Sequence, residues 1–300
     1  MNILSLFDGI SGARVALEKT NIKVDRYYAS EIDLDAIAVS KYNYPDTIQL
    51  GNVLNVHNVS NIDLLIGGSP CQSFSTAGKK EGFNGISGLV KEYFRILKET
   101  NPKYFILENV VMPHKYRAII NKELGIEPIM INSALLSGQQ RKRLYWTNIP
   151  ISDLPPNKHI YLKDIIEENV NKCMSKEGAI LTDARYDTGH YDKIFKVGYM
   201  ITPYKTYIIY GTQGKSRTLL ATGGGRNGQT GIYLIGDCIR HLTPLEAERL
   251  QTYPDNYTKF GIYNNQKKEI KSITLRRKLL GNSFTVDVIA WLLSHINRND

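Results

Sequence analysis

The chain has 300 residues, 42% hydrophobic and 22% charged, with a formal net charge of +9. Those proportions describe a folded soluble protein with room for one large α/β domain and a smaller one, and no apolar stretch is long enough to span a bilayer. Three widely spaced cysteines, Cys71, Cys173 and Cys238, argue against a disulfide framework and against a zinc site of CxxC pairs.

No basic segment precedes the first apolar run, so no signal peptide is expected and a reducing cytoplasm is the expected location. The positive charge favours a polyanionic partner, nucleic acid first; plain solubility is the other reading, so charge alone decides little.

The first half repeats one pattern: a short apolar run, a turn, then an amphipathic stretch. Runs fall at 2–6, 27–30, 47–50, 63–66, 104–107 and 129–131, with helix-like stretches at 12–18, 35–42 and 89–98. Such alternation predicts an α/β fold, a Rossmann-like and mostly parallel sheet with helices on both faces. Ligands bind such sheets outside the carboxyl ends of the strands. There the sequence places Phe7-Asp8-Gly9, Glu31, Gly51-Asn52, Pro70-Cys71 and Glu108-Asn109, one group after each successive run. Polar and reactive residues thus collect on one edge of the expected sheet.

The pattern breaks near Pro150 and Pro155-Pro156. From there to about Cys238 the chain is rich in Tyr, Gly, Thr and Lys, with a helical period only at 162–168. This predicts a small, irregular, mostly β domain at 155–237, set into a discontinuous domain of 1–154 and 238–300. Helical grammar returns at Thr243-Pro244-Leu245-Glu246, with Thr243 as N-cap, Pro244 at the first helical position and Glu246 completing a capping box. An amphipathic helix is expected at 286–296, after Gly281-Asn282-Ser283.

The turn Phe7-Asp8-Gly9-Ile10-Ser11-Gly12 lets backbone approach a ligand closely, but its spacing is not GxGxxG. With Glu31 placed to accept from ribose hydroxyls, it suits a nucleoside without a pyrophosphate, of which S-adenosylmethionine is one; a plain tight turn reads the same way. Cys71 precedes a helix-like stretch whose partial positive charge favours thiolate, whereas an isolated cysteine reads as inert. Arg217 suits a phosphate or a core acid. In 222–229, Arg226 suits guanine and Asn227 or Gln229 adenine, or the segment is a hairpin turn without base contacts. Cys173 and Cys238 read as bystanders, and six histidines without ligand spacing suggest no metal.

Taken together, Phe7-Asp8-Gly9 to Gly12, Glu31, Pro70-Cys71-Gln72, Glu108-Asn109-Val110, Gln140-Arg141-Lys142-Arg143, Leu242-Thr243-Pro244 to Gln251, and Gly281-Asn282-Ser283 resemble the cytosine-5 DNA methyltransferases, in that family's order. The resemblance covers about 1–150 and 238–300. The stretches from Val24 to Glu31 and from Lys215 to Thr218 are similar to the vertebrate de novo branch, Gln72 to the bacterial enzymes. Asn52 departs from the family's usual aspartate.

The resemblance implies a class I methyltransferase fold with a target-recognition domain. It implies S-adenosyl-L-methionine as cofactor, held by Phe7, Asp8, Gly9, Gly12, Glu31, Ile32, Asn52, Val53, Pro70, Asn282 and Ser283. It implies that Cys71 adds to carbon 6 of a cytosine and that Glu108 engages ring nitrogen 3. Arg141, and more indirectly Arg143, would stabilise charge at the 2-keto oxygen and orient the thiol. The base must leave the duplex to be reached. Double-stranded DNA is the implied partner, with Ser75, Lys79, Lys80, Arg217, Arg226, Asn227 and Gln229 as contacts; the glycines of 75–88 suit a lid that closes over the base, or a surface loop. A cognate restriction endonuclease is compatible and not required. Two alternatives stay open: a tRNA cytosine-5 methyltransferase with the same chemistry, and an inactive DNA-binding homologue.

Overall fold

The computed structural model describes residues 1–70, 86–168, 170, 173–182, 192–221 and 230–296. Most of the first-half runs become strands because both of their faces are buried; the run at 47–50 gives only a two-residue edge strand, Ile48–Gln49, exposed at both residues. Along β1 (Asn2–Leu6), Ile3 packs into one apolar layer, and Leu4 and Leu6 into another. The chain continues through α1 (Gly12–Lys19), β2 (Arg26–Ser30), α2 (Leu34–Asn43), β3 (Ile48–Gln49), β4 (Leu64–Gly68), α3 (Val90–Thr100), β5 (Tyr104–Val110), α4 (His114–Leu124), β6 (Ile129–Asn132) and β7 (Lys142–Thr147). The same alternation recurs in β4, where Leu64 and Ile66 oppose Leu65, and in β5, where Tyr104 and Ile106 oppose Phe105 and Leu107. Period-2 burial of this kind belongs to a sheet covered on both sides.

These strands form one seven-stranded sheet in the order β3-β2-β1-β4-β5-β7-β6. The first five are parallel to their neighbours, and β7 runs antiparallel to β5 and β6. The run expected at 129–131 is β6. The following basic motif is itself the start of β7, because Leu144 and Trp146 fill one layer and Tyr145 the other.

The second sheet holds β8 (Ala179–Leu181), β9 (Lys196–Ile201), β10 (Thr206–Tyr210), β11 (Ile232–Ile235) and β12 (Cys238–Arg240), in the order β12-β11-β10-β9-β8. The small β body expected at 155–237 therefore takes in β12 just beyond it. Residues 162–168 form only a 3-10 turn, Leu162–Ile165, because the chain turns extended at Ile166.

Cys173 and Cys238 are not bystanders. They are joined by a disulfide, their Cα atoms 5.2 Å apart. Met174 N donates to Ile239 O at 2.7 Å, so the segment at 173 runs beside β12. A sequence separation of 65 hides this pairing from the sequence.

The chain closes with α5 (Pro244–Leu250), a hairpin of β13 (Phe260–Tyr263) and β14 (Gln266–Glu269), α6 (Ile273–Asn282) and α7 (Val286–Leu293). The expected capping box is present at α5: Thr243 Oγ1 accepts from Glu246 N at 3.1 Å, and Glu246 Oε2 accepts from Thr243 N at 2.7 Å. α7 ends at Leu293, short of the expected 296, and lies on α1 within the first apolar layer.

Residues 215–219 lace the two bodies together. The Lys215 ammonium, fully buried, donates to Ala134 O and Ile160 O, each at 2.6 Å. Ser216 N donates to Gly138 O, and Gln140 N to Ser216 O. This strap runs directly beside the residues that lead into β7.

Candidate active site

A cavity of about 400 Å³ opens at the carboxyl ends of β1, β2, β4 and β5. Phe7, Gly9, Glu31, Ile32, Asn52 and Val53 line one end, with Asn282 from α6. A single carboxylate organises this end. Glu31 Oε2 accepts from Gly9 N at 2.8 Å, and Oε1 accepts from Ile32 N at 2.7 Å and Asp33 N at 2.8 Å. It thereby ties the turn after β1 to the turn after β2. Phe7 (φ 56°) and Ser11 (φ 59°) hold left-handed conformations, which cost free energy for an aromatic and a serine and need such anchoring.

Gly9 (φ 58°) and Gly51 (φ 72°) line the cavity, and no atom lies within 4 Å of where their Cβ would stand. Side chains there would project into open space and meet strain. The bare backbone fits the close approach of a nucleoside.

Three residues expected to hold the cofactor lie behind this wall. Gly12 packs under Tyr253, whose hydroxyl would meet a Cβ at 2.3 Å. Ser283 is nearly buried and hydrogen-bonds the same Tyr253 hydroxyl. Asp8 is buried and accepts from Ser11 Oγ and Tyr27 Oη, both at 2.6 Å. Burial pushes the Asp8 carboxyl up to about 6.

That shift predicts a pH signature. A raised carboxyl contributes stability below its unfolded value of 3.8 and loses it as pH rises through about 6. Asp8→Asn cannot titrate. The unfolding free energy of the variant minus that of wild type should therefore rise by about 2–3 kcal/mol between pH 4 and pH 7. Denaturant titrations at both pH values measure it, and a flat difference would mean that Asp8 ionises as it does in water.

Asn52 caps the 3-10 turn Val53–Asn55, its Oδ1 accepting from Leu54 N at 3.0 Å. Asn52→Asp keeps that cap and puts an ionised oxygen in place of the amide nitrogen. The variant should fold and bind S-adenosylhomocysteine as well as wild type or slightly more tightly, because a charged acceptor bonds an amine more strongly. Calorimetry reads the change. A loss beyond about tenfold, about 1.4 kcal/mol, would assign the work to the Asn52 amide as a donor.

The other end of the cavity carries a carboxylate–guanidinium pair. Glu108 near the end of β5 pairs through Oε1 with Arg143 Nε at 3.0 Å, both side chains 13% exposed. The antiparallel register makes this possible: Arg143 pairs with Val110, two residues from Glu108 on the same face. Gly68 sits opposite Glu108 in β4, and a Cβ there would stand 3.0 Å from Glu108 Oε2.

Pro70, Ser69, Asn109 and Leu279 also line the cavity, the last three not among the expected site residues. Asn109 is buried and donates from Nδ2 to Ser69 Oγ at 2.9 Å. It thus holds the chain one residue before Pro70 and two before Cys71. Its place beside Glu108 in the sequence is the signal for it; nothing in the sequence marks Leu279.

The two arginines, both on the cavity wall, make different contacts. Arg141 borders the cavity, but its guanidinium donates to Leu219 O at 2.9 Å, Ser283 O at 2.9 Å and Gly281 O at 3.2 Å. It joins the 215–219 strap to the end of α6, while Arg143 is the guanidinium on the acid. Arg217 stacks on the Tyr210 ring at 5.6 Å and has no carboxylate partner among the described residues. Cys71, Gln72, Ser75, Lys79, Lys80, Arg226, Asn227 and Gln229 lie outside the described residues. Among those described, no three His, Cys, Asp or Glu side chains group as a metal site, and no helix is long and apolar enough to cross a membrane.

A family model described as C-5 cytosine-specific DNA methylase matches residues 1–298. The chain is 26% identical over 321 residues to the type II methyltransferase M.HhaI of Haemophilus parahaemolyticus, covering 99% of this chain and 94% of that protein. It is 30% identical over 282 residues to the type II methyltransferase M1.ScrFI of Lactococcus lactis subsp. cremoris, covering 85% of this chain and 70% of that one. The structure of the S. pombe Dnmt2 methyltransferase superposes with a TM-score of 0.68 at 17% identity, over 98% of this chain and 97% of that one, a likeness of fold.

Proposed function

The chain belongs to the C-5 cytosine-specific DNA methylase family and is a DNA cytosine-5 methyltransferase, and from that premise we propose that it uses S-adenosyl-L-methionine to methylate a cytosine flipped out of double-stranded DNA. The observation that carries this reading is one cavity with two ends. A bare-backbone cradle organised by Glu31 lies at one end, and the Glu108–Arg143 pair at the other, with Pro70 on the wall immediately before Cys71. When bound, S-adenosyl-L-methionine supplies the methyl group; Phe7, Gly9, Glu31, Ile32, Asn52 and Val53 are the residues that would hold it.

The Cys71 thiolate adds to carbon 6 of the cytosine, which raises electron density at carbon 5 for methyl transfer. Glu108 holds or protonates ring nitrogen 3 and accepts from the exocyclic amine. Arg143 keeps the Glu108 carboxylate in place and adds positive charge beside the ring. Arg141 acts at one remove, by fixing the strap and the end of α6. Loss of the proton from carbon 5 to a base or water then expels Cys71. Residues 155–237 choose which sequence is methylated. A cytoplasmic enzyme acting on nucleoid or phage DNA fits this role, with or without a cognate endonuclease.

Bisulfite sequencing of DNA from cells expressing the chain tests the reading, together with labelled methyl transfer to duplex DNA and to total tRNA. Protected cytosines in one sequence context, with label in DNA, are expected. Label confined to tRNA would overturn the DNA substrate, and label in neither would overturn the chemistry.

A further inference from the structure

Beside the stem of the 222–229 segment, α6 carries a guanidinium with no hydrogen-bond or ion-pair partner among the described residues. Leu220 N and Thr230 Oγ1 meet across that stem at 3.5 Å. Tyr233 braces one side, its hydroxyl donating to Thr230 O at 2.8 Å and accepting from Arg217 N at 3.1 Å. On the other side His241 Nδ1 donates to Gly231 O at 3.0 Å. There α6 presses against residues 220–221 so closely that a Cβ on Gly281 would stand 2.4 Å from Ala221 N. Arg277 precedes Gly281 by four residues, so it occupies the same face of α6.

The charged and titratable groups around Arg277 are Glu246, Arg240 and His241. Glu246 is already spent. Arg240 binds it through both oxygens, at 2.8 and 2.7 Å, and it also accepts from Thr243 N and Glu167 N. The flanking cations of α6 are paired as well, Arg276 with Glu248 at 2.9 Å and Lys278 with Asp33 at 2.8 Å. Arg277 is half-buried, and its guanidinium makes no hydrogen bond or ion pair among the described residues. Burial pushes its guanidinium down to about 10. A partly desolvated cation with five donors and no acceptor costs stability unless an anion completes it.

We propose that Arg277 binds a phosphate of double-stranded DNA beside the stem of the 222–229 segment. The proposal rests on the DNA-methyltransferase reading above. A contact at the stem, on a rigid helix, fixes the register of the duplex and leaves bases to other residues. Arg217, near the same stem in the 215–219 strap, has no carboxylate partner among the described residues and gives a second cation there.

The test uses the full chain with S-adenosylhomocysteine and a fluorescein-labelled mixed-sequence duplex, titrated by anisotropy over a range of NaCl. Arg277→Gln should weaken binding and make the slope of log K against log salt shallower by about one. Arg277→Lys should restore most of the slope, since a phosphate accepts a point charge. Without DNA, Arg277→Gln should melt no lower than wild type, because the charge it removes has no protein partner. An unchanged slope in Arg277→Gln would overturn the proposal. So would failure of Arg277→Lys to restore the slope, or a lower melting temperature with the slope intact. A wild-type chain that neither binds duplex nor methylates DNA would overturn the underlying reading, and this contact with it.

Discussion

Replacing Cys71 with alanine is expected to abolish methyl transfer to DNA while S-adenosylhomocysteine binds with near wild-type affinity. The two effects separate because different groups serve them. The cradle is made by Glu31, by the bare backbone at Gly9 and Gly51, and by Asn52, none of which depends on the thiol. The chain leading to Cys71 is held by Asn109 on Ser69, which the substitution leaves intact. Only the covalent step is lost. DNA carrying 5-fluorocytosine gives the complementary result: fluorine blocks the final elimination, so wild type should form a denaturant-stable adduct and Cys71→Ala none. Substantial turnover by a folded alanine variant would sink the covalent mechanism.

Glu108→Gln should lower the methylation rate by about a hundredfold or more, the usual scale for a positioned acid. Glutamine is nearly isosteric, so the space left by Gly68 still accommodates it. It can donate to ring nitrogen 3 but cannot deliver a proton there, and it leaves Arg143 without its 3.0 Å carboxylate partner. DNA affinity should change little, because phosphate contacts dominate such interfaces. Single-turnover kinetics on saturating DNA separate the two quantities. Near wild-type turnover would mean that the acid is misassigned.

Much of this was legible along the chain for a local reason. Strands of a covered parallel sheet bury both faces, so they read as short apolar runs, and the residue after each run falls on the ligand-binding edge. Phe7, Glu31, Asn52, Pro70 and Glu108 all line one cavity on that account. The capping box at Thr243 was equally readable, because its partners lie within one turn.

What only the tertiary structure decided involves partners far apart in sequence or faces that share one motif. The antiparallel entry of β7 put Arg143, rather than Arg141, on Glu108, and turned Arg141 toward carbonyls contributed by residues 219, 281 and 283. Asp8 and Gly12 belong to the same glycine-rich turn as Phe7 and Gly9, yet they face Tyr27 and Tyr253 instead of the cavity. Cys173 and Cys238 meet at a sequence separation of 65, and the Arg277 guanidinium has no partner among the described residues while Arg240 takes Glu246. Local patterning selects elements and edges; which side chains are satisfied, and by whom, follows from packing that brings distant segments together.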